Sequence, residues 1–263
     1  MTFQPILPTG GLVGWRFLQQ SYETQLDNFA RSPTVNREAA AFADRIGKIS
    51  SAAELVADRQ TLIVALGAFG LSEDINNRYF IRKILEDGST ARDSLANKLA
   101  DDRYRQFSAA FGFGSGEILQ TGNRSAMAGI AQSYVENAFE VAVGQQDDSM
   151  RIALYAQREL TELAGEPGSD DTKWFKLMSL PALRTMFETA LGLPSSFSQL
   201  DIDRQLEEFR DRTSSALGDG SVAQFSDPEQ LDRITELYLA RAQLADLSAS
   251  YSPTQTALLL LQR

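Results

Sequence analysis

Apolar residues recur at intervals of three and four along most of this sequence, and this spacing limits the fold more than any other feature. Near the start, five of them fall on one stripe of an amphipathic helix: Trp15, Leu18, Tyr22, Leu26 and Phe29. The sequence has no run of alternating β-branched residues, and no Asn-Gly or Asp-Gly turn joins two such runs. We therefore expect an all-α, multihelical fold.

Start and stop signals divide this pattern into separate helices. In "SAAE", Ser51 and Glu54 form a capping box in which each side chain can bind the other residue's backbone N–H, and this predicts a helix over about residues 52–66. Ser72 is the expected N-cap of the next helix, which Gly88 would end. Further helices are predicted over residues 95–111, 124–143, 150–163, 183–191 and 202–209, and after "SDPE" at 226–229. The apolar "TQTALLLLQR" at the C-terminus is predicted to be a docked tail or a last helical turn.

One outline occurs four times: an apolar residue, two others, Ala, an apolar residue and Gly. The copies are "LIVALG" at 62–67, "FSAAFG" at 107–112, "FEVAVG" at 139–144 and "FETALG" at 187–192. Three positions of the outline share one helical face, and glycine enters the left-handed conformation that ends many helices. The outline therefore predicts helix ends rather than a catalytic motif.

Two copies of the outline have arginines at matching distances, which suggests an internal duplication. The first group is Arg59, Gly67 and Arg78, and the second, 125 or 126 residues later, is Arg184, Gly192 and Arg204. On this basis we expect an N-terminal helical lobe over residues 1–144 and a related C-terminal lobe over 145–263. One continuous helical domain is the alternative.

The composition excludes several classes of function. The 35 acidic and 25 basic residues give a net charge of −10, and no basic run is able to neutralise several phosphates, so nucleic acid is not an expected partner. No stretch approaches the roughly 18 apolar residues of a membrane span, and no cleaved secretory signal is expected. With no Cys and no His, thiolate chemistry, the Ser-His-Asp triad and histidine zinc sites are excluded. Carboxylate, Lys, Tyr or Ser/Lys chemistry and oxygen-ligand metals remain open.

The motifs that could carry chemistry have simpler interpretations. "GFGSG" at 112–116 lacks the spacing of a dinucleotide loop and the lysine of a P-loop, which favours a loop that ends a helix. Asp201, Asp203 and the acidic pair in "QQDD" at 145–148 suit the first turns of helices, where the dipole favours negative charge. We assign no catalytic residue, no cofactor and no metal ligand, and we favour a non-enzymatic protein.

"RYFIRK" at 78–83 is the densest basic segment in this acidic chain. Arg78, Arg82 and Lys83 are the candidate partner-binding residues, because Arg78 and Arg82 lie four apart and could present one edge to an acidic partner helix. In the alternative, Arg78 and Arg82 pair with Asp74 and Glu86 at the same spacing on their own helix.

Three stretches carry a resemblance to a known family: "GLVGWRFLQQSYETQLDNF", "LVADRQTLIVALGAFGLSEDINNRYFIRKILEDG" and "LANKLADDRYRQFSAAFGFG". They resemble alphaproteobacterial proteins grouped as domain of unknown function 1217, and "SPTQTALLLLQ" resembles the ending of longer members. The resemblance implies a helical protein. It also implies a link to the flagellum, since genes of such proteins often lie among flagellar genes, but it implies no catalytic or binding residues.

These observations lead to one functional hypothesis and two alternatives. We expect a non-enzymatic, helical interaction or assembly protein with a protein partner, associated with the flagellum and located in the cytoplasm. The first alternative is an enzyme that uses carboxylate or Tyr/Lys chemistry. The second is an axial flagellar subunit with paired terminal helices, exported with the flagellum without a cleaved signal.

Overall fold

The regular secondary structure of the described chain is helical, as the apolar spacing predicts. The structure, a computed structural model, describes residues 3–99 and 101–250, except for the side chains of residues 249 and 250. Short 3-10 turns cover Ser72–Asn76, Ser195–Gln199 and Val222–Ser226. Over the described residues the α-helices are α1 Gly11–Ala30, α2 Pro33–Ile46, α3 Ala52–Ala57, α4 Arg59–Ala68, α5 Arg78–Asp87, α6 Leu95–Lys98, α7 Arg103–Phe111, α8 Arg124–Gly144, α9 Asp148–Gly165, α10 Asp170–Ser179, α11 Pro181–Leu191, α12 Ile202–Leu217 and α13 Pro228–Ser250.

The helices are grouped into two compact units. Unit 1 comprises the described residues of Met1–Ile6 and Ser21–Ala142, and unit 2 those of Leu7–Gln20 and Val143–Arg263. The two expected lobes, and the duplication that would relate them, stay predictions. The C-terminal "TQTALLLLQR" lies outside the described residues.

Unit 1 has a core of aliphatic and phenylalanine side chains. Its fully buried members include Phe42, Leu55, Leu62, Leu66, Ile81, Ile84, Phe107, Phe111 and Phe139. Phe107 and Phe111 meet edge to face with their ring centroids 5.3 Å apart. Such offset aromatic contacts are favoured by the ring quadrupole.

The helix predicted over residues 52–66 is two helices, α3 and α4, because Asp58 interrupts it. Asp58 has extended backbone angles, and its carboxylate accepts hydrogen bonds from the backbone N–H groups of Gln60 (3.1 Å) and Thr61 (3.3 Å) as the N-cap of α4. The predicted cap at Ser51 is present, with its hydroxyl accepting from the N–H of Glu54 at 3.3 Å. The Glu54 carboxylate, however, accepts from the N–H of Ser50, one residue earlier than the capping box predicts.

Two other predicted boundaries in unit 1 are wrong. Ser72 begins a 3-10 turn, and α5 starts only at Arg78. The helix predicted over residues 95–111 is interrupted after α6, where the backbone of Leu99 is extended, and α7 begins at Arg103. Pro33 begins α2, as proline fits the first helical position.

Unit 2 is built around a cluster of aromatic rings. Phe187 of α11 packs edge to face on Trp174 (5.6 Å between centroids) and on Phe225 (5.5 Å). Phe209 of α12 stacks on Trp174, and Phe197 meets Phe209 at 4.8 Å. The indole N–H of Trp174 donates to the carbonyl of Gly220 at 3.0 Å, which satisfies the only polar atom of that buried side chain.

The first part of α1 contacts α13 within unit 2. Arg16 pairs with Glu236 at 3.1 Å, and the Gln19 amide donates to Asp232 at 3.3 Å. The chain positions of these partners run in opposite directions, so the two helices are antiparallel. Trp15 and Leu18, two residues of the predicted apolar stripe, are buried.

The four glycines of the recurring outline do not all end helices. Gly112 and Gly192 do, with φ values of 65° and 66°. Gly144 is the last residue of α8, without a positive φ. The prediction is wrong for Gly67, which lies inside α4, where the left-handed glycine is Gly70, three residues later, with φ 67°.

Candidate interaction surface

Helix α5 separates its apolar and charged residues onto two faces. Ile81, Ile84 and Leu85 are completely buried against unit 1. The hydroxyl of Ser108 donates to the carbonyl of Ile84 at 3.1 Å, and the ring of Phe80 meets that of Tyr104 edge to face at 5.3 Å. These contacts fix the rotation of α5 and therefore determine which residues face solvent.

The opposite face of α5 presents an exposed aromatic ring among basic side chains. Tyr79 is 83% exposed, the highest value among the exposed large hydrophobic side chains of the described chain. Arg78, Arg82 and Lys83 are exposed beside it. We call these four residues the α5 surface. It contains all three predicted partner-binding residues, and it adds Tyr79, which sequence reasoning missed although helical phase places it away from Ile81, Ile84 and Leu85.

Two cations of the α5 surface form ion pairs one turn further along the helix. Arg82 binds Glu86 at 2.6 Å, as its spacing predicts, and Lys83 binds Asp87 at 2.7 Å. The hydrogen bond between Lys83 and Asp87 raises the pKa of Lys83 and lowers the pKa of Asp87, so both groups are charged at neutral pH. Exposed pairs of this kind contribute little to stability and can exchange partners.

Arg78 is different, because its predicted partner is engaged elsewhere. The Asp74 carboxylate accepts from the amide of Asn77 at 2.7 Å and from the hydroxyl of Tyr104 at 2.7 Å. Burial, together with the bond to Asp74, raises the pKa of Tyr104 to about 12. Within the described chain, Arg78 makes no hydrogen bond or ion pair, so its guanidinium is available to a partner.

A shallow groove of about 580 Å³ lies elsewhere in unit 1, where α2 ends and α3 meets α4. Arg45, Lys48 and Arg59 line it together with Glu54 and Asp58. Arg45 binds both oxygens of Asp58, at 2.9 and 3.2 Å. Partial burial acts to raise the pKa of Asp58, but the bonds from Arg45 and from the N–H of Thr61 lower it overall.

Glu117, the residue that follows the glycine-rich loop, binds the loop after α5 through its carboxylate. Oε1 of Glu117 accepts from the backbone N–H and the hydroxyl of both Ser89 and Thr90, at 2.6 to 3.0 Å. Burial acts to raise the pKa of Glu117, but these bonds lower it overall. The glycine-rich loop ends α7 at the left-handed Gly112, as predicted, and Glu117 joins it to the loop after α5.

Two of the acidic residues weighed from the sequence cap helices, and the acidic side chains of the described chain do not gather into a metal site. Asp201 and Asp147, two of the acidic residues weighed from the sequence, are N-caps that accept from the N–H groups of Arg204 (3.0 Å) and Met150 (3.2 Å). Over the described residues, no group of three or more acidic side chains is arranged to hold a metal ion. No helix in the described part of the chain is both long and apolar enough to cross a bilayer.

Comparison with known proteins places the chain in a family. The family described as "Protein of unknown function (DUF1217)" matches residues 68–231, which is more than half of the sequence. The chain belongs to this family. The match includes the α5 surface and the glycine-rich loop, and most of unit 2.

A solved structure has the same fold. The X-ray crystal structure of a protein from Agrobacterium tumefaciens superposes with a TM-score of 0.71 at 23% identity, over 89% of this chain and 97% of the other. At that identity the likeness shows the fold alone. No protein with a curated description matches the sequence.

Proposed function

We propose that this DUF1217 protein is a non-enzymatic interaction or assembly protein, and that the α5 surface binds an acidic region of a protein partner. The observation that carries the proposal is Tyr79, whose ring is 83% exposed beside three cations. Tyr and Arg are the residue types that most often dominate binding energy at protein interfaces.

The composition of the α5 surface suits an acidic partner. A tyrosine ring gives a large contact area with few rotatable bonds, and its hydroxyl supplies a hydrogen bond at the edge of the contact. Arg78 needs no exchange of partner to bind a carboxylate, whereas Arg82 and Lys83 must share or release Glu86 and Asp87. We therefore expect Tyr79 and Arg78 to contribute most of the affinity.

Paired variants test this role in the cell that makes the protein. Tyr79→Ala combined with Arg78→Ala should remove an acidic protein from affinity captures. The matched control combines Ile118→Ala with Arg37→Ala, since Ile118 is 79% exposed and Arg37 is an exposed cation without a partner in the described chain. The proposal fails if both double variants capture the same proteins in the same amounts.

The flagellar setting is a separate part of the proposal, and its support is the gene association that the family resemblance implies. If the protein acts in flagellar assembly or regulation, deletion of its gene should impair motility or shorten the filaments. Complementation with the Tyr79→Ala, Arg78→Ala variant should restore less motility than complementation with the control variant. Normal motility and intact filaments in the deletion strain would remove the flagellar part and leave the interaction role standing.

The contacts between α1 and α13 bear on the second alternative, an axial flagellar subunit with paired terminal helices. This candidate requires those helices to be open in the free monomer and to pair stably on assembly. Trp15 and Leu18 of α1, and Ile234 and Leu239 of α13, are buried, so we expect slow amide exchange there in the isolated protein. Slow exchange would exclude the axial candidate, and fast exchange would favour it over the interaction role.

A further inference from the structure

The groove between the end of α2 and the α3–α4 junction has cations that the protein itself does not use. Its charged lining comprises Arg45, Lys48 and Arg59 against Glu54 and Asp58, an excess of one positive charge in a chain whose net charge is −10. Ile49 and Ala57 add apolar surface. This is the local charge balance of a site for an anion.

Both carboxylates of the groove are engaged by the chain. One oxygen of Glu54 accepts from the N–H of Ser50 at 2.7 Å and from its hydroxyl at 3.1 Å. Asp58 accepts from two backbone N–H groups and from Arg45. These bonds hold the acidic groups in place. Asp58 is paired with Arg45, and the charge of Glu54 offsets one of the two remaining cations.

Lys48 and Arg59 have no such engagement. Both side chains are exposed, and within the described chain neither makes a hydrogen bond or an ion pair. Arg45 uses one terminal nitrogen to bind Asp58. This pairing orients the guanidinium, and its remaining N–H groups are available to a ligand. An anion in the groove would therefore meet two unengaged cations and a third that is already oriented.

We propose that this groove binds a small multivalent anion that carries phosphate or carboxylate groups. Arg59 and Lys48 supply charge-assisted hydrogen bonds, and Arg45, held by Asp58, provides a preorganised donor. The groove is shallow and open, so a ligand held there by these cations would remain partly in solvent. This site is independent of the α5 surface, since the two share no residue.

Calorimetric titration of the full chain with inorganic pyrophosphate and, separately, with citrate tests the proposal. Lys48→Gln with Arg59→Gln removes the two unengaged cations. Arg37→Gln with Arg92→Gln is the matched control, because it removes the same charge from exposed residues that have no partner in the described chain. We expect the groove variant to bind at least about tenfold more weakly, which corresponds to the loss of one charge-assisted hydrogen bond. The control variant should bind with the affinity of the unmodified protein.

Each outcome decides the matter. Binding of pyrophosphate alone assigns the groove to phosphate ligands, and binding of citrate alone assigns it to carboxylates, provided that only the groove variant is weakened. Equal weakening in both variants would show a general charge effect and overturn the site, as would the absence of binding by either probe. The variants Tyr79→Ala and Arg78→Ala leave the groove intact, so failure here and failure of the α5 surface are distinguished.

Discussion

Gly67 in unit 1 and Gly192 in unit 2 end the same sequence outline, but they have different structural roles. Gly67 lies inside α4, and a Cβ added there would be 2.6 Å from the ring of Tyr134. Gly192 follows α11 with φ +66°, a conformation that side chains other than glycine adopt at a cost. One glycine is needed for space and the other for backbone conformation.

The surroundings of Gly67 explain its role. The ring of Tyr134 packs where a side chain at residue 67 would be, and its hydroxyl donates to Glu38. Burial and this hydrogen bond raise the pKa of Tyr134. Because Tyr134 is fixed at both its ring and its hydroxyl, it cannot move aside for a methyl group.

The residues of "FETALG" in unit 2 make different contacts from those of "LIVALG" in unit 1. Phe187 enters the aromatic cluster with Trp174 and Phe225, whereas the corresponding residue in unit 1 is Leu62. The arginines differ as well: Arg184 binds Glu188 and Gln205, while Arg59 is exposed beside the groove. A shared outline therefore records a shared helical pattern, and the role of each residue depends on what packs against it.

The largest expected effect is that of Phe187→Ala, which should cost about 3–5 kcal/mol of unfolding free energy because it leaves a cavity among aromatic rings. Both tryptophans, Trp15 and Trp174, lie in unit 2, so tryptophan fluorescence during urea unfolding reports on that unit. Phe175→Ala, at a ring 38% exposed, is the control and should cost much less. Equal costs would remove the aromatic cluster as the distinguishing feature of unit 2.

Gly67→Ala should cost about 2–3 kcal/mol, because the added methyl group overlaps the fixed ring of Tyr134. Circular dichroism during urea unfolding measures the loss. Gly129→Ala is the matched control, since Gly129 lies inside α8 with nothing near its added Cβ, and alanine there should stabilise the helix by about 0.5–1 kcal/mol. If both changes stabilise the protein, Gly67 is not needed for space.

Gly192→Ala should cost about 1 kcal/mol, because alanine resists the left-handed conformation. An added Cβ would also meet the guanidinium of Arg241, which lies at the end of a flexible side chain and can move. Gly192→Asn should cost less than Gly192→Ala, since asparagine tolerates this conformation. The reverse order, measured by thermal unfolding, would show that space and not backbone conformation decides this position too.

Tyr104→Phe is expected to have the smallest effect, below about 1 kcal/mol at neutral pH, as it removes one hydrogen bond to Asp74 in unit 1. The pKa of Tyr104 is raised from 10.0 to about 12, so its contribution to stability is complete below pH 10 and is lost as the pH rises toward 12. The variant should therefore lose less stability over that range than the unmodified protein. Tyr79→Phe, at an exposed ring, is the control for the loss of a tyrosine hydroxyl.

Much of the helical pattern could be predicted from the sequence, because it depends on nearby residues. The caps at Ser51 and Asp201, the ends at Gly112 and Gly192 and the ion pair of Arg82 with Glu86 all join residues within one or two turns. The break at Asp58 was missed, because the apolar spacing continues across it while its carboxylate caps the second helix and binds Arg45, 13 residues away.

The candidate sites show the same division. Arg78, Arg82 and Lys83 could be selected as a basic cluster, but the engagement of Asp74 by Tyr104, 30 residues later, is what leaves Arg78 available. The groove was not predicted at all. Arg45 and Arg59 are 14 residues apart in the sequence, and only the packing of α2 against the α3–α4 junction makes them line one surface.

The sequence by itself determined the helical class, many helix ends and the membership of residues in apolar or charged faces, since these follow from spacing and local hydrogen bonds. Only the tertiary structure decided that Gly67 makes room for a tyrosine, that Arg78 lacks its expected partner and that three cations share a groove. Each of these depends on contacts between residues far apart in the chain. Helical periodicity does not specify which distant side chain packs against a given residue.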